Sequence, residues 1–171
     1  LVLNADKSAV LAVTSQKGET GEPKLKRSVI VIAFISLGLV YTTMLVGVYF
    51  SSLERGVACT EWPLCPNGLF GPPEEKYLVE YAHRLVAAIT AAFIYATAII
   101  VPSSVRRAKK AALVAAALVS VQLVIGLLTV LTSLQPLVVA SHLSTGITIF
   151  AFALLTFLWV GIWRKQRATG P

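Results

Sequence analysis

Four long apolar runs decide what this chain can become: Ser28 to Phe50, Tyr77 to Val101, Ala111 to Ser133 and Leu137 to Trp163. Each exceeds the roughly 20 residues that a helix needs to cross about 30 Å of hydrocarbon. Inside a bilayer the backbone must satisfy its own hydrogen bonds, so runs of this length cross as helices. Composition agrees: 56% of the 171 residues are hydrophobic and 13% charged, far more apolar than a soluble domain. The expectation is an all-α membrane protein, a four-transmembrane-helix bundle over residues 28–163, with spans at about 28–50, 77–101, 111–133 and 137–163. The first twenty residues lack the basic, apolar, small-residue order of a cleaved signal peptide, so the first run is expected to remain as a span. The missing initiator Met suggests a true start upstream.

Charge orients the spans, because Lys and Arg near helix ends stay on the cytoplasmic side. Lys24, Lys26 and Arg27 precede the first span; Arg106, Arg107, Lys109 and Lys110 join the second and third; Arg164, Lys165 and Arg167 follow the fourth. Both termini are therefore expected to be cytoplasmic, as tails over residues 1–27 and 164–171. The net charge of +7 is this topology signal and its contact with anionic lipid, so no nucleic-acid partner is expected. The opposite side carries an outer loop over residues 51–76 and a tight turn at Leu134 to Pro136. That loop holds Glu54, Glu61, Glu74 and Glu75 against Arg55 and Lys76.

Both cysteines, Cys59 and Cys65, lie in the outer loop within the run CTEWPLC. A compartment outside the membrane permits disulfides, and the loop can close if Pro63 turns the chain back, so a Cys59–Cys65 bridge is expected. Two roles stay open for it, a structural staple or a redox-active pair. Trp62, Phe70 and Tyr77 read equally as interfacial anchors and as ligand contacts.

The two histidines of the chain, His83 and His142, fall about six and five residues inside the second and fourth spans. Both spans descend from the outer surface, so at 1.5 Å per residue both imidazoles lie roughly 8 Å below it. Ionisable groups at such depth are costly unless they face a protein interior and are paired or ligated. Two imidazoles at one level, on separate helices of a bundle, suit the axial ligation of one haem iron. Ala87, Thr90 and Ala91 follow His83 at helical spacing, and Thr145 and Gly146 follow His142, leaving room for a flat macrocycle or serving helix packing.

Glu80 stands one turn before His83 on the same helix face. It reads either as a carboxylate reaching the histidine cavity or as an interfacial residue paired with Arg84 or Lys76. Arg84 suits haem propionates through its guanidinium fork, or it snorkels to headgroups. On the third span Gln122, Gly126, Thr129 and Ser133 share a face, and on the first Gly38, Tyr41, Thr42 and Gly47 recur. Both sets read as helix packing and hydrogen bonding rather than cofactor chemistry.

Three segments, EYAHR (Glu80 to Arg84), ACTEWPLCPNG (Ala58 to Gly68) and QLVIGLLTVLTSLQPLVVASH (Gln122 to His142), together resemble heme A synthase. The resemblance runs from about Leu53 to Gly146, with Glu61 where many relatives carry Asp before the Trp. It implies O2-dependent oxidation of one ring methyl of heme O to the formyl group of heme A, for haem-copper terminal oxidases. By it His83 and His142 are axial ligands, Glu80 is the carboxylate required for turnover, and Cys59 and Cys65 are the outer-loop pair. Most members have eight helices in two similar halves, one associated with substrate haem and the other with a haem b cofactor. This chain resembles one half, like compact four-helix forms associated with archaea. A homo-oligomer, most simply a two-fold dimer, would restore the count of two haems.

The expected function is thus that of a heme A synthase in the cell membrane, with its haem site toward the outer face. External electrons are implied from a donor the sequence does not name, and heme O synthase and a terminal oxidase are implied as partners. The rival readings are a haem b electron-transfer subunit and a haem carrier or assembly factor. Glu80 separates them, because bis-histidine ligation alone has no need of a carboxylate there.

Overall fold

A computed structural model of the chain describes residues 26–52, 59, 61–63, 65 and 74–168. Most of the N-terminal tail, the end of the C-terminal tail, and Lys24, Glu54, Arg55 and Phe70 lie outside the described residues. Four helices are present: α1 (Arg27–Ser52), α2 (Leu78–Ile100), α3 (Arg106–Leu131) and α4 (Pro136–Ala168), with a 3-10 turn at Glu75–Tyr77 leading into α2. No strand occurs among the described residues. All four helical segments are long and apolar enough to cross a membrane, which makes the protein an all-α, multi-pass membrane bundle. At 33 residues, α4 extends about 50 Å, well beyond the hydrocarbon thickness, so its basic last turn with Lys165 and Arg167 stands clear of it.

Helix ends follow local chemistry. Pro102 stops α2: it pushes the preceding residue out of the helical region, and Val101 sits at φ −64°, ψ 118°. The chain re-enters helix at Arg106, so the basic residues expected to join two spans instead form the first turns of α3. Lys109 turns its ammonium back onto the end of α2, donating to the carbonyls of Ala98 (2.6 Å) and Ile99 (3.3 Å), where the helix leaves acceptors unmet. At the other end of α3, Ser133 and Leu134 both take the left-handed conformation, with φ of 50° and 63°. Leu134 N–H closes the turn onto Thr129 O at 2.9 Å. Pro136 then opens α4, where its missing N–H costs nothing.

The helices pack as a ring, α1 on α2, α2 on α3, α3 on α4 and α4 on α1. One half of the ring is dense. Buried Ala108, Ala111, Ala112 and Ala115 bring α3 close to its neighbours; Ala108 and Ala112 pack with Val29, Ala98, Val101 and Val160 near the basic ends of the helices, and Ala115 with Val40, Ile94 and Ala153 further along. Hydroxyls join α1 to α2 in two places two turns apart. Ser36 and Thr97 bond at 2.8 Å, Ser36 also donates to Phe93 O, and Thr43 bonds Thr90 at 2.7 Å. Such bonds satisfy polar groups where no water is available. The outward faces carry exposed large apolar side chains such as Phe34, Ile99 and Leu131, as a lipid-facing surface requires. In the other half, the ring opens into a cavity.

Candidate functional site

The cavity has a volume of about 690 Å³ and is walled by all four helices, with Trp62 and Pro63 of the outer loop at its rim. That volume lies within the range of about 300–1,000 Å³ typical of sites for organic ligands. Its walls are mainly apolar, and the polar side chains that break them are few. His83 and His142 both line it, from helices that are diagonal in the ring. Each stands in the second turn of its helix, so matched depth in sequence becomes matched depth in the fold.

Each imidazole leans on a glycine of the preceding helix. A Cβ added at Gly47 of α1 would lie 3.0 Å from His83 Cε1 and 3.4 Å from its Nδ1; one added at Gly126 of α3 would lie 3.5 Å from His142 Cε1. The glycines therefore let the rings settle against backbone. In both histidines Nδ1 is buried without a hydrogen-bond partner. Gln122 donates through Nε2 to His142 O at 3.0 Å, and its own Oε1 is buried without a partner. Because His142 O can only accept, the amide cannot be reversed without facing two oxygens.

The donor set fits one class of group. Among the described residues no cluster of three or more His, Cys, Asp or Glu could hold a metal ion, whereas a bare structural zinc takes four ligands. Two imidazoles lining one roomy apolar cavity would fit a metal whose other donors come from a macrocycle.

Glu80 is buried, with 5% of its surface exposed, and also lines the cavity. Its Oε1 pairs with Arg84 at 2.5 Å and its Oε2 accepts the Cys59 N–H at 2.9 Å. Lys76, the other partner considered from sequence, pairs with Glu74 at 2.8 Å instead. Arg84 donates to the carbonyls of Cys59, Glu61 and Pro63. Neither propionate binding nor snorkelling accounts for those bonds. Cys59 and Cys65 are joined in a disulfide and buried, and the Trp62–Pro63 peptide is cis. Trp62 lines the cavity while remaining 46% exposed, and Tyr77 carries Lys76 over its ring.

Of the small residues expected to make room, Ala87, Thr90, Ala91 and Gly146 line the cavity and Thr145 does not. The glycine and glutamine positions read as packing residues, Gly47, Gln122 and Gly126, line it too. A signal for two of them existed. In an antiparallel hairpin turning at Leu134, positions equidistant from the turn face one another, which pairs Gly126 with His142 and Gln122 with Gly146.

Comparison with known proteins places the chain. The profile of the cytochrome oxidase assembly protein family matches residues 72–170. Similar proteins include the protoheme IX farnesyltransferase of Haloarcula marismortui, 34% identical over 122 residues, covering 70% of this chain and 26% of that protein. The protoheme IX farnesyltransferase of Halobacterium salinarum is 30% identical over 133 residues, 77% of this chain and 29% of that protein. The heme A synthase of Exiguobacterium sp. is 29% identical over 139 residues, 78% of this chain and 45% of that protein. The chain thus belongs to the cytochrome oxidase assembly protein family, and the expected kinship with heme A synthase is met. It spans between about a quarter and under a half of the length of these relatives.

Proposed function

We propose that the protein acts in heme A formation, oxidising a ring methyl of heme O to the formyl group of heme A. The observation that carries this reading is a pair of diagonal imidazoles facing one large apolar cavity. Family membership and the similar heme A synthase support it. A haem group would supply redox-active iron to the site, with O2 as oxidant and electrons delivered from outside. His83 and His142 would hold that iron, with Gly47 and Gly126 seating each ring against the preceding helix. The apolar walls exclude water, which strengthens every electrostatic contact inside. Glu80 would present a fixed negative charge at the wall, stabilising positive charge as it develops on the substrate carbon. Arg84 would hold Glu80 in place through their ion pair.

The wider arrangement follows from the same reading. Both termini are cytoplasmic, the cavity opens toward the outer face of the cell membrane, and residues 28–163 form the haem-binding unit. Haem b is the resident cofactor, and a homodimer supplies a second haem site. Heme O synthase and a terminal oxidase stand before and after it in use of the haem.

A second reading, a part in haem farnesylation, is favoured by the names of the similar haloarchaeal proteins. The chain's carboxylates weigh against it. Prenyl transfer from a diphosphate uses Mg2+ held by carboxylates, and this chain has a single aspartate, Asp6, and among the described residues Glu80 is the one carboxylate on the cavity wall. Coexpression with a heme O supply, followed by extraction and chromatography of the haems, tests both. Heme A is the expected product. Heme O left unchanged despite oxygen and reductant would overturn the oxidase reading and favour an electron-transfer or carrier role, and heme O made from protoheme alone would favour farnesylation.

A further inference from the structure

We propose that Arg84 is a positioning residue that clamps the disulfide loop shut over the cavity, with Glu80 as its counter-charge. The clamp is built from four hydrogen bonds. Nη1 donates to Glu61 O at 2.5 Å and Pro63 O at 3.4 Å, and Nη2 donates to Cys59 O at 3.0 Å and Glu80 Oε1 at 2.5 Å. The accepting carbonyls belong to alternate residues, 59, 61 and 63, so one face of the loop segment is gathered onto one guanidinium. Glu80 takes the Cys59 N–H from the other side. Both backbone polar groups of Cys59 are therefore satisfied by side chains one turn apart on α2.

The chemistry calls for arginine. Buried backbone carbonyls need donors, and a planar fork with five N–H groups serves several at fixed angles. Lysine concentrates its donors on one nitrogen and cannot span the same set. The clamp also closes the site, because the segment it grips carries Trp62 and Pro63, which line the cavity, and Cys59 and Cys65, which are 0% and 1% exposed. Loop closure, the shielding of the disulfide and the placement of the Glu80 carboxylate are thus one arrangement with Arg84 at its centre. This goes beyond the catalytic reading and holds whichever haem the cavity takes.

The test uses the full chain in lipid nanodiscs without added haem. The readout is the rate at which tris(2-carboxyethyl)phosphine reduces the Cys59–Cys65 bridge, followed by alkylation and mass measurement. Arg84→Gln is expected to accelerate reduction at least tenfold, Arg84→Lys by an intermediate factor, and the exposed Lys76→Gln not at all. Added guanidinium ion is expected to restore part of the protection in Arg84→Gln, a rescue that general loosening of the fold would not show. Reduction of Arg84→Gln at the parental rate would overturn the clamp. Should Arg84→Gln fail to fold, Arg84→Lys, which keeps the charge beside Glu80, decides: parental-rate reduction in that variant overturns it equally. Failure of the heme A reading leaves this readout unchanged, so the two can fall separately.

Discussion

Gly47→Ala offers the sharpest test of how the site is built, because the same helix supplies its control. An added Cβ at Gly47 would sit 3.0 Å from His83 Cε1, about 0.5 Å inside the contact minimum of about 3.5 Å. Either the imidazole slides or α1 moves off α2, and the ring is hemmed in, with its Nδ1 already buried. Overpacking of this kind costs about 1–3 kcal/mol. At Gly38, two to three turns away on α1, a Cβ would meet nothing within 4 Å. Both substitutions remove a helix-interior glycine, a gain of about 0.5–1 kcal/mol that cancels between them. The difference between the two variants therefore isolates the clash. For a chain of this size each kcal/mol moves Tm by about 2–4 °C, so Gly47→Ala should melt several degrees below Gly38→Ala in detergent. Gly126→Ala, whose Cβ would rest at an ordinary 3.5 Å from His142, should fall close to Gly38→Ala. The haem spectrum should change in Gly47→Ala and stay parental in the other two. Equal melting and equal spectra in Gly47→Ala and Gly38→Ala would refute the idea that His83 is seated on α1 backbone.

The remaining predictions concern ligation, charge, packing and topology. His83→Ala or His142→Ala should each lower haem retention or convert a low-spin spectrum to high-spin, and unchanged spectra in both would remove the ligand assignment. Glu80→Gln should keep haem but stall oxidation before heme A, since its amide still accepts from Cys59 but no longer offers Arg84 a charge; heme A made at the parental rate would defeat the catalytic role. Ser36→Ala should lower stability by about 0.6 kcal/mol, and by no more than about 1.7, the range for interhelical hydrogen bonds in membranes, which a melting shift measures against Ser51→Ala on the exposed end of α1. An impermeant thiol reagent applied to intact cells after reduction should label Cys59 or Cys65 from outside, and labelling confined to inverted vesicles would reverse the orientation.

The spans and the histidines were legible in sequence for the same reason: in a bilayer, hydrophobic length and the rarity of ionisable groups are both strong signals. Gly126 and Gln122 were legible too, through the short turn at Leu134, but only once the hairpin is treated as a ruler. Gly47 was not, since the long segment between α1 and α2 breaks any count from one helix to the other. Arg84 was hidden more deeply. Its partners are backbone carbonyls of Cys59, Glu61 and Pro63, and main-chain acceptors leave no mark in residue type. Glu80 shows how two readings coexist: it lines the cavity and pairs with Arg84 at once. The basic stretch from Arg106 reads from its charge as the join between two spans, and helix propensity starts α3 within it.

The diagonal placement of His83 and His142 bears on how the bundle comes together. The first hairpin holds one imidazole and the second holds the other, and within each hairpin the ring rests on its own partner helix. Each hairpin can therefore enter the membrane with its half of the site already shaped. Any group gripped by both imidazoles ties the two hairpins across a diagonal along which the helices do not pack closely. Its binding free energy then counts directly toward keeping the hairpins together.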